Sequence, residues 1–337
     1  MISISQTYIE SIIEKFSDDI KSQRDNAISK LDKISFDGLQ QCEKEYLEWV
    51  KDEYSKSDFL VMCPKGIQTY IENPLFKKVP RVFSFDDDGN PKKDKDGNQK
   101  EEKSKLKDTI LNALDYTTLR SDFYPKYFRE VGIKACVYCN SSLAVSVDRI
   151  DNDGKDDIRA KFQVDHFYPK SDFPMFSISL FNLYPSCASC NNVKNDKMVK
   201  FNLYSNISSE LENSNFRFKL SAYDEAKYLL YKKGKEIDFD FLEEKDLPKN
   251  FYTFQDTFDI KGIYDTQKDL ISDLVDKSLV YDFYYKKSLN DNFPKLFLTK
   301  EHFERFLLGN YPRVQDIHKR PMSKFMQDIA KDLGIID

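Results

Sequence analysis

The chain has 337 residues, 40% of them hydrophobic, and a formal net charge of -5. Its 27 Phe and 20 Tyr supply ample core material and exclude a disordered polymer, while only 10 Gly and 12 Pro exclude a fibrous one. The length suggests two or three modules. No apolar run approaches the ~18 residues of a membrane span, and the opening Met1-Ile2-Ser3-Ile4-Ser5-Gln6 lacks the basic start and apolar stretch of a signal peptide. A cytoplasmic protein with no membrane partner is therefore expected. The acidic balance requires any nucleic-acid site to be a local patch, or to be completed by a partner.

The expected fold class is α+β and mainly helical. Residues 1–130 read as an N-terminal helical region, with Ile9, Ile12, Ile13, Phe16 and Ile20 recurring at helical spacing and Tyr46, Trp49 and Val50 continuing the pattern. Near 86–107 the composition shifts to Asp, Lys, Gly, Asn and Glu, with Asp88-Gly89-Asn90 and Asp96-Gly97-Asn98 as turns. The acidic spacing fails the pattern of a calcium-binding loop, so a solvated loop or hairpin is expected. A helix beginning near Pro125 should stop at Gly132. Two strands, 143–147 and 158–164, are expected to form a long hairpin turning at Asn152-Asp153-Gly154. The C-terminal part, 206–337, returns to helices. Thr266 to Asp269 would cap one carrying Leu270, Leu274, Leu279 and Phe283. Pro321 would open another carrying Met322, Phe325, Ile329 and Leu333 and ending at Gly334.

The central stretch carries the chemistry. Cys136-Val137-Tyr138-Cys139 and Cys187-Ala188-Ser189-Cys190 are two CxxC knuckles, with Val164-Asp165-His166 between them and Asn182 and Asn191 flanking the second. Paired knuckles in a reducing compartment suit four thiolates on one tetrahedral Zn²⁺, at about 2.3 Å, better than disulfides or isolated core cysteines. Cys42 and Cys63 fall outside this cluster and are expected to pack as small buried hydrophobes.

Taken together, the knuckles, the Asp-His pair and the two asparagines resemble the HNH endonucleases, a family built on a ββα-metal fold. The likeness covers roughly residues 131–205. Its first signature position matches His166, its middle one Asn182 and its last one Asn191, where Asn stands in place of the second His. The segments 165–171 and 182–187 look most like the HNH subunits of bacterial anti-phage systems such as Septu.

The resemblance implies a metal-dependent endonuclease that hydrolyses phosphodiester bonds in DNA, in defence against phage or foreign DNA. An RNA-cleaving toxin and a non-catalytic zinc-dependent binding module are the alternatives. His166, with an ordinary pKa of about 6.5, would be the general base. Asp165 and Asn191 would offer oxygen ligands to a catalytic Mg²⁺ or Mn²⁺, and Asn182 would brace the loop that orients His166. Lys170, just past His166, and Lys194 and Lys197, beyond Asn191, are candidate contacts to the nucleic-acid backbone, with solvated surface lysines as the plain alternative. The helical flanks exceed what a small nuclease unit needs, which suggests a protein partner or self-association. Arg313, His318, Lys319 and Arg320 are a candidate contact, with a solvated helix start as the plain alternative.

Overall fold

The computed structural model describes residues 1–72, 78–84, 86, 90–150, 156–232, 237–281, 283–294 and 299–336. The expected turns at Asp88-Gly89-Asn90 and Asn152-Asp153-Gly154 lie wholly or partly outside them. The fold is α+β and mainly helical, with small two-stranded sheets. Backbone contacts gather it into two compact units. One comprises Met1–Ile9, Phe128–Val164 and Pro185–Asp337; the other comprises Glu10–Tyr127 and Asp165–Tyr184. These units cut across the successive segments 1–130, 131–205 and 206–337.

The unit of Glu10–Tyr127 and Asp165–Tyr184 is a set of helices closed by an inserted loop. Ser17–Asp32 and Gln41–Ser55 are its longest helices. The second starts where the Gln40 amide donates to the Glu43 carboxylate at 2.7 Å, and Ser104 also donates to Glu43. Ile20, Leu31, Tyr46, Val50 and Tyr54 are buried, as the helical spacing requires. Tyr54 donates its hydroxyl to the Met175 carbonyl at 2.8 Å, and Phe59 stacks on Phe176 with ring centres 5.4 Å apart. These contacts seat the loop after His166 on the helical core. The charged stretch is a hairpin, with Arg81–Phe83 antiparallel to Glu101–Lys103. The helices Leu106–Ala113 and Tyr116–Asp122 follow.

The other unit holds both knuckles and the C-terminal region. Its aromatic core joins the strand Phe216–Lys219, antiparallel to Asp240–Glu243, to the helix Ser323–Asp332. Phe218 meets Tyr264 at 4.5 Å and Phe325 at 5.0 Å between ring centres. The strands Val145–Ile150 and Asp156–Lys161 form the expected hairpin. The second expected strand is broken, however. Phe162 separates Asp156–Lys161 from Gln163–His166, and the latter pairs instead with Leu183–Ser186. The helix Tyr124–Val131 ends at Gly132, whose φ of 82° is the left-handed cap expected of it.

Several other expectations are corrected. Thr266 does not cap the next helix: its hydroxyl donates backwards to the Ile263 carbonyl, and that helix runs Asp269–Val280. It buries Ile271, Leu274 and Val275, while Leu279 is exposed and Phe283 opens a separate helix. The last helix begins at Ser323, not Pro321, because Met322 takes a left-handed φ of 65° ahead of it. Cys42 is exposed and Cys63 half-buried, so neither packs as a core residue.

His318 is buried, and its Nε2 donates to the Ile2 carbonyl at 2.8 Å; it is no surface contact. Its neighbours in the expected cluster are engaged within the unit. Lys319 pairs with Asp316, Arg313 with Glu301, and Arg320 lies over the Tyr311 ring. Among the described residues no helix is long and apolar enough to cross a membrane.

Candidate functional site

The knuckles are built from two tight backbone turns. In the first, the Asn140 amide donates to the Cys136 carbonyl at 2.9 Å, and Asn140 closes the turn at a left-handed φ of 52° that asparagine tolerates. In the second, Cys187 is the N-cap of the helix Ala188–Lys194, and its sulfur accepts the Cys190 amide. The Val137 amide donates to the Pro185 carbonyl and ties the two turns together across 48 positions of chain.

All four sulfurs lie within 4.8 Å of one another, and those of Cys139 and Cys187 are 4.0 Å apart. Four thiolates about 2.3 Å from a tetrahedral Zn²⁺ sit about 3.8 Å from each other, so the spacing fits a metal and is far too long for a disulfide. Hydrogen bonds among the sulfurs, from Cys136 first, pull Cys139 far down and bring Cys187 to about 7. Burial pushes Cys136 up, and its sulfur neighbours push Cys190 up. By its spacing the cluster can hold a metal ion such as Zn²⁺.

The C-terminal region completes this centre. The Asn140 side chain donates to the Ile317 carbonyl at 2.8 Å and accepts the Lys324 amide at 2.9 Å. Tyr264 donates to the Cys139 carbonyl at 2.8 Å, and Tyr138 stacks on Phe258 with ring centres 4.8 Å apart. The segment 206–337 thus has a structural task inside the unit that carries no signal in the sequence.

Asp165, His166 and Asn182 belong to the other unit, and all three are buried. Nε2 of His166 faces the Ser177 carbonyl at 2.9 Å. A carbonyl only accepts, so the proton resides on Nε2 and the basic lone pair on Nδ1. Asn182 ends the short turn Leu180–Asn182, just ahead of the strand Leu183–Ser186. Its Oδ1 accepts the Tyr168 amide at 2.7 Å, and its Nδ2 donates to the carbonyls of Tyr168 and Phe176 at 3.2 and 3.0 Å. Its own carbonyl accepts the Phe167 amide. The segment leaving His166 and the segment presenting Ser177 are therefore fixed by one amide side chain.

Asn191 lies in the unit of the knuckles, within the helix Ala188–Lys194 and not at its start. Its Nδ2 donates to Gln163 Oε1 at 2.7 Å, which turns its amide oxygen away from that contact. Lys194 is fully buried and presents no ammonium to solvent, contrary to its reading as a surface cation. Lys197 lies 5.7 Å from the Tyr252 ring centre.

Around His166 the structure adds residues without a sequence signal. The Tyr116 ring centre is 4.9 Å from that of His166, and the Lys170 ammonium stands 4.9 Å from the Tyr116 ring centre. Burial raises the Tyr116 phenol to about 12. Tyr116 lies 50 positions before His166 and carries no motif, so only the packing reveals it. Comparison of the chain with family models, with curated proteins and with solved structures returned no match.

Proposed function

We propose that the chain is a metal-dependent endonuclease of the HNH kind that hydrolyses phosphodiester bonds in DNA, in defence against phage or foreign DNA. The observation that supports it best is the Ser177 carbonyl, which can only accept, fixing the proton of His166 on Nε2, one residue after Asp165. Hydrolysis needs a water deprotonated beside a phosphorus centre, and a neutral imidazole with a defined basic nitrogen performs that at neutral pH. Nδ1 would take the proton from water as the new P–O bond forms, and the leaving 3′ oxygen departs as the old one breaks.

A bound Mg²⁺ or Mn²⁺ would supply charge neutralisation at the phosphate and leaving oxygen. Asp165 is the carboxylate proposed to hold it, and the amide oxygen of Asn191 is a donor to be tested separately. Asn182 contributes position only, by holding the backbone on either side of the base. The four-cysteine centre would have a structural task, since a site closed by four protein ligands leaves no position for substrate.

The test is incubation of the purified chain with supercoiled plasmid and with RNA, with Mg²⁺, with Mn²⁺ and with neither. Cleavage that needs the added cation and falls by about 10²–10⁴-fold in His166→Ala is the expected result. Undiminished cutting by that variant, or no cutting of either polymer, would overturn the reading. Cleavage of RNA alone would move the substrate while keeping the chemistry.

A further inference from the structure

Tyr116 and Arg120 lie four residues apart on the helix Tyr116–Asp122, and so share one face of it. That face meets the His166 loop. The Tyr116 ring touches the His166 ring, and the Lys170 ammonium stands against the same Tyr116 ring. Lys170 is thereby held near the imidazole by a ring and does not swing freely in solvent. Arg120 acts electrostatically on both Tyr116 and Lys170: together with partial burial, which is the larger influence, its charge lowers the Lys170 ammonium below the usual lysine range.

Lys170 and Arg120 are both exposed, so this positive pair is open to an anion. In the same unit other lysines have one, Lys30 on Asp115 at 2.8 Å, Lys103 on Asp172 at 2.5 Å and Lys56 on Glu53 at 2.7 Å. Among the described residues neither Lys170 nor Arg120 has a carboxylate within 4.0 Å, although the chain carries 57 Asp and Glu against 52 Lys and Arg. Tyr116 thus links two exposed cations without a carboxylate partner to a buried histidine.

We propose that Lys170 and Arg120 form an anion clamp that takes a backbone phosphate of the nucleic acid, and that Tyr116 is the positioning residue that aims Lys170 at it. Arg120 supplies a planar fork suited to two phosphate oxygens and Lys170 a single point charge. The clamp would grip a phosphate beside the one attacked by the water that His166 deprotonates, so the polymer is registered on the base. The choice of a nucleic-acid phosphate rests on the nuclease reading above.

The experiment measures binding, not cutting. A short fluorescein-labelled DNA duplex is titrated with the full chain by fluorescence anisotropy over a salt series, with no added Mg²⁺ or Mn²⁺. Removing a cation that neutralises one phosphate should flatten the slope of log affinity against log salt by about 0.9. Arg120→Ala and Lys170→Ala are each expected to flatten it by that amount with thermal melting unchanged. Lys56→Ala removes the same charge from an ion-paired site and should leave the slope as it was. Tyr116→Phe should preserve the slope and Tyr116→Leu should weaken binding by about two- to fivefold.

A duplex that does not bind, or a slope unmoved by Arg120→Ala and Lys170→Ala, or one flattened equally by Lys56→Ala, would overturn the clamp. Flattened slopes in a chain that never cuts with Mg²⁺ or Mn²⁺ would keep the clamp and remove the nuclease reading. Cation-dependent cutting with unmoved slopes would do the reverse.

Discussion

Asn182 and Tyr168 are joined by a reciprocal pair of hydrogen bonds. The Tyr168 amide donates to Asn182 Oδ1 at 2.7 Å, and Asn182 Nδ2 returns a bond to the Tyr168 carbonyl at 3.2 Å. A side chain here copies the pairing of a neighbouring strand, which satisfies a bend of backbone that has left the sheet. Nδ2 also donates to Phe176, the residue before Ser177, so one amide holds the chain both two residues after His166 and beside its hydrogen-bond partner.

Asn182→Ala is therefore expected to lower stability by about 2–4 kcal/mol, because it strands a buried amide and two carbonyls. Asn182→Asp should be at least as harmful, since a carboxylate still accepts the Tyr168 amide but cannot donate to either carbonyl. Denaturant unfolding measures both. A change below about 0.5 kcal/mol for Ala would show that the amide contributes nothing to the fold.

The thiol cluster predicts one Zn²⁺ per chain by elemental analysis. Since metal binding in such a site is also folding free energy, Cys187→Ser or prolonged chelation should unfold the unit that holds the knuckles or render it insoluble. Tyr264→Phe, which removes the bond to the Cys139 carbonyl, should cost about 0.5–1.5 kcal/mol and keep the metal. Well-folded chain without zinc would exclude a structural metal.

His318 predicts a stability change with pH. Burial holds its imidazole at about 4, below the ordinary 6.5, and the bond to the Ile2 carbonyl offsets only part of that. Its Nδ1 has no hydrogen-bond partner among the described residues, so a proton there would find no acceptor. A depressed histidine favours the folded state while neutral. Its contribution is fully present above pH 6.5 and is lost as pH falls through 4, a difference on the order of 3 kcal/mol. His318→Gln should flatten that part of the stability profile. Equal pH dependence of the two proteins between pH 4 and 6.5 would exclude His318 as the source.

Lys324 and Asp328 form a buried ion pair at 2.6 Å on the last helix, and Asp328 also accepts the Phe218 amide. Burial lowers the lysine and raises the carboxylate, which marks both charges as dependent on each other. Lys324→Met should cost about 3–5 kcal/mol by leaving an uncompensated carboxylate. The double variant Lys324→Met with Asp328→Leu should recover part of that stability. Additive effects in a double-mutant cycle would refute the coupling.

The sequence by itself determined what local chemistry and periodicity can encode. The helical stripe of Ile9, Ile12 and Ile20 is buried, Gly132 ends its helix, and the knuckle spacing brings four sulfurs together. Each follows from neighbours a few positions apart or from a ligand set that a metal can gather. Tertiary structure decided the rest. Lys194 reads as a surface cation, yet it is enclosed. His318 reads as part of a basic patch, yet it donates to Ile2 across 316 positions. Tyr116 and Arg120 carry no motif, and their place beside His166 and Lys170 depends on how a helix packs against a loop 50 residues later. Periodicity shows that a face is buried, but not against what, because the partner's identity resides in contacts distant along the chain.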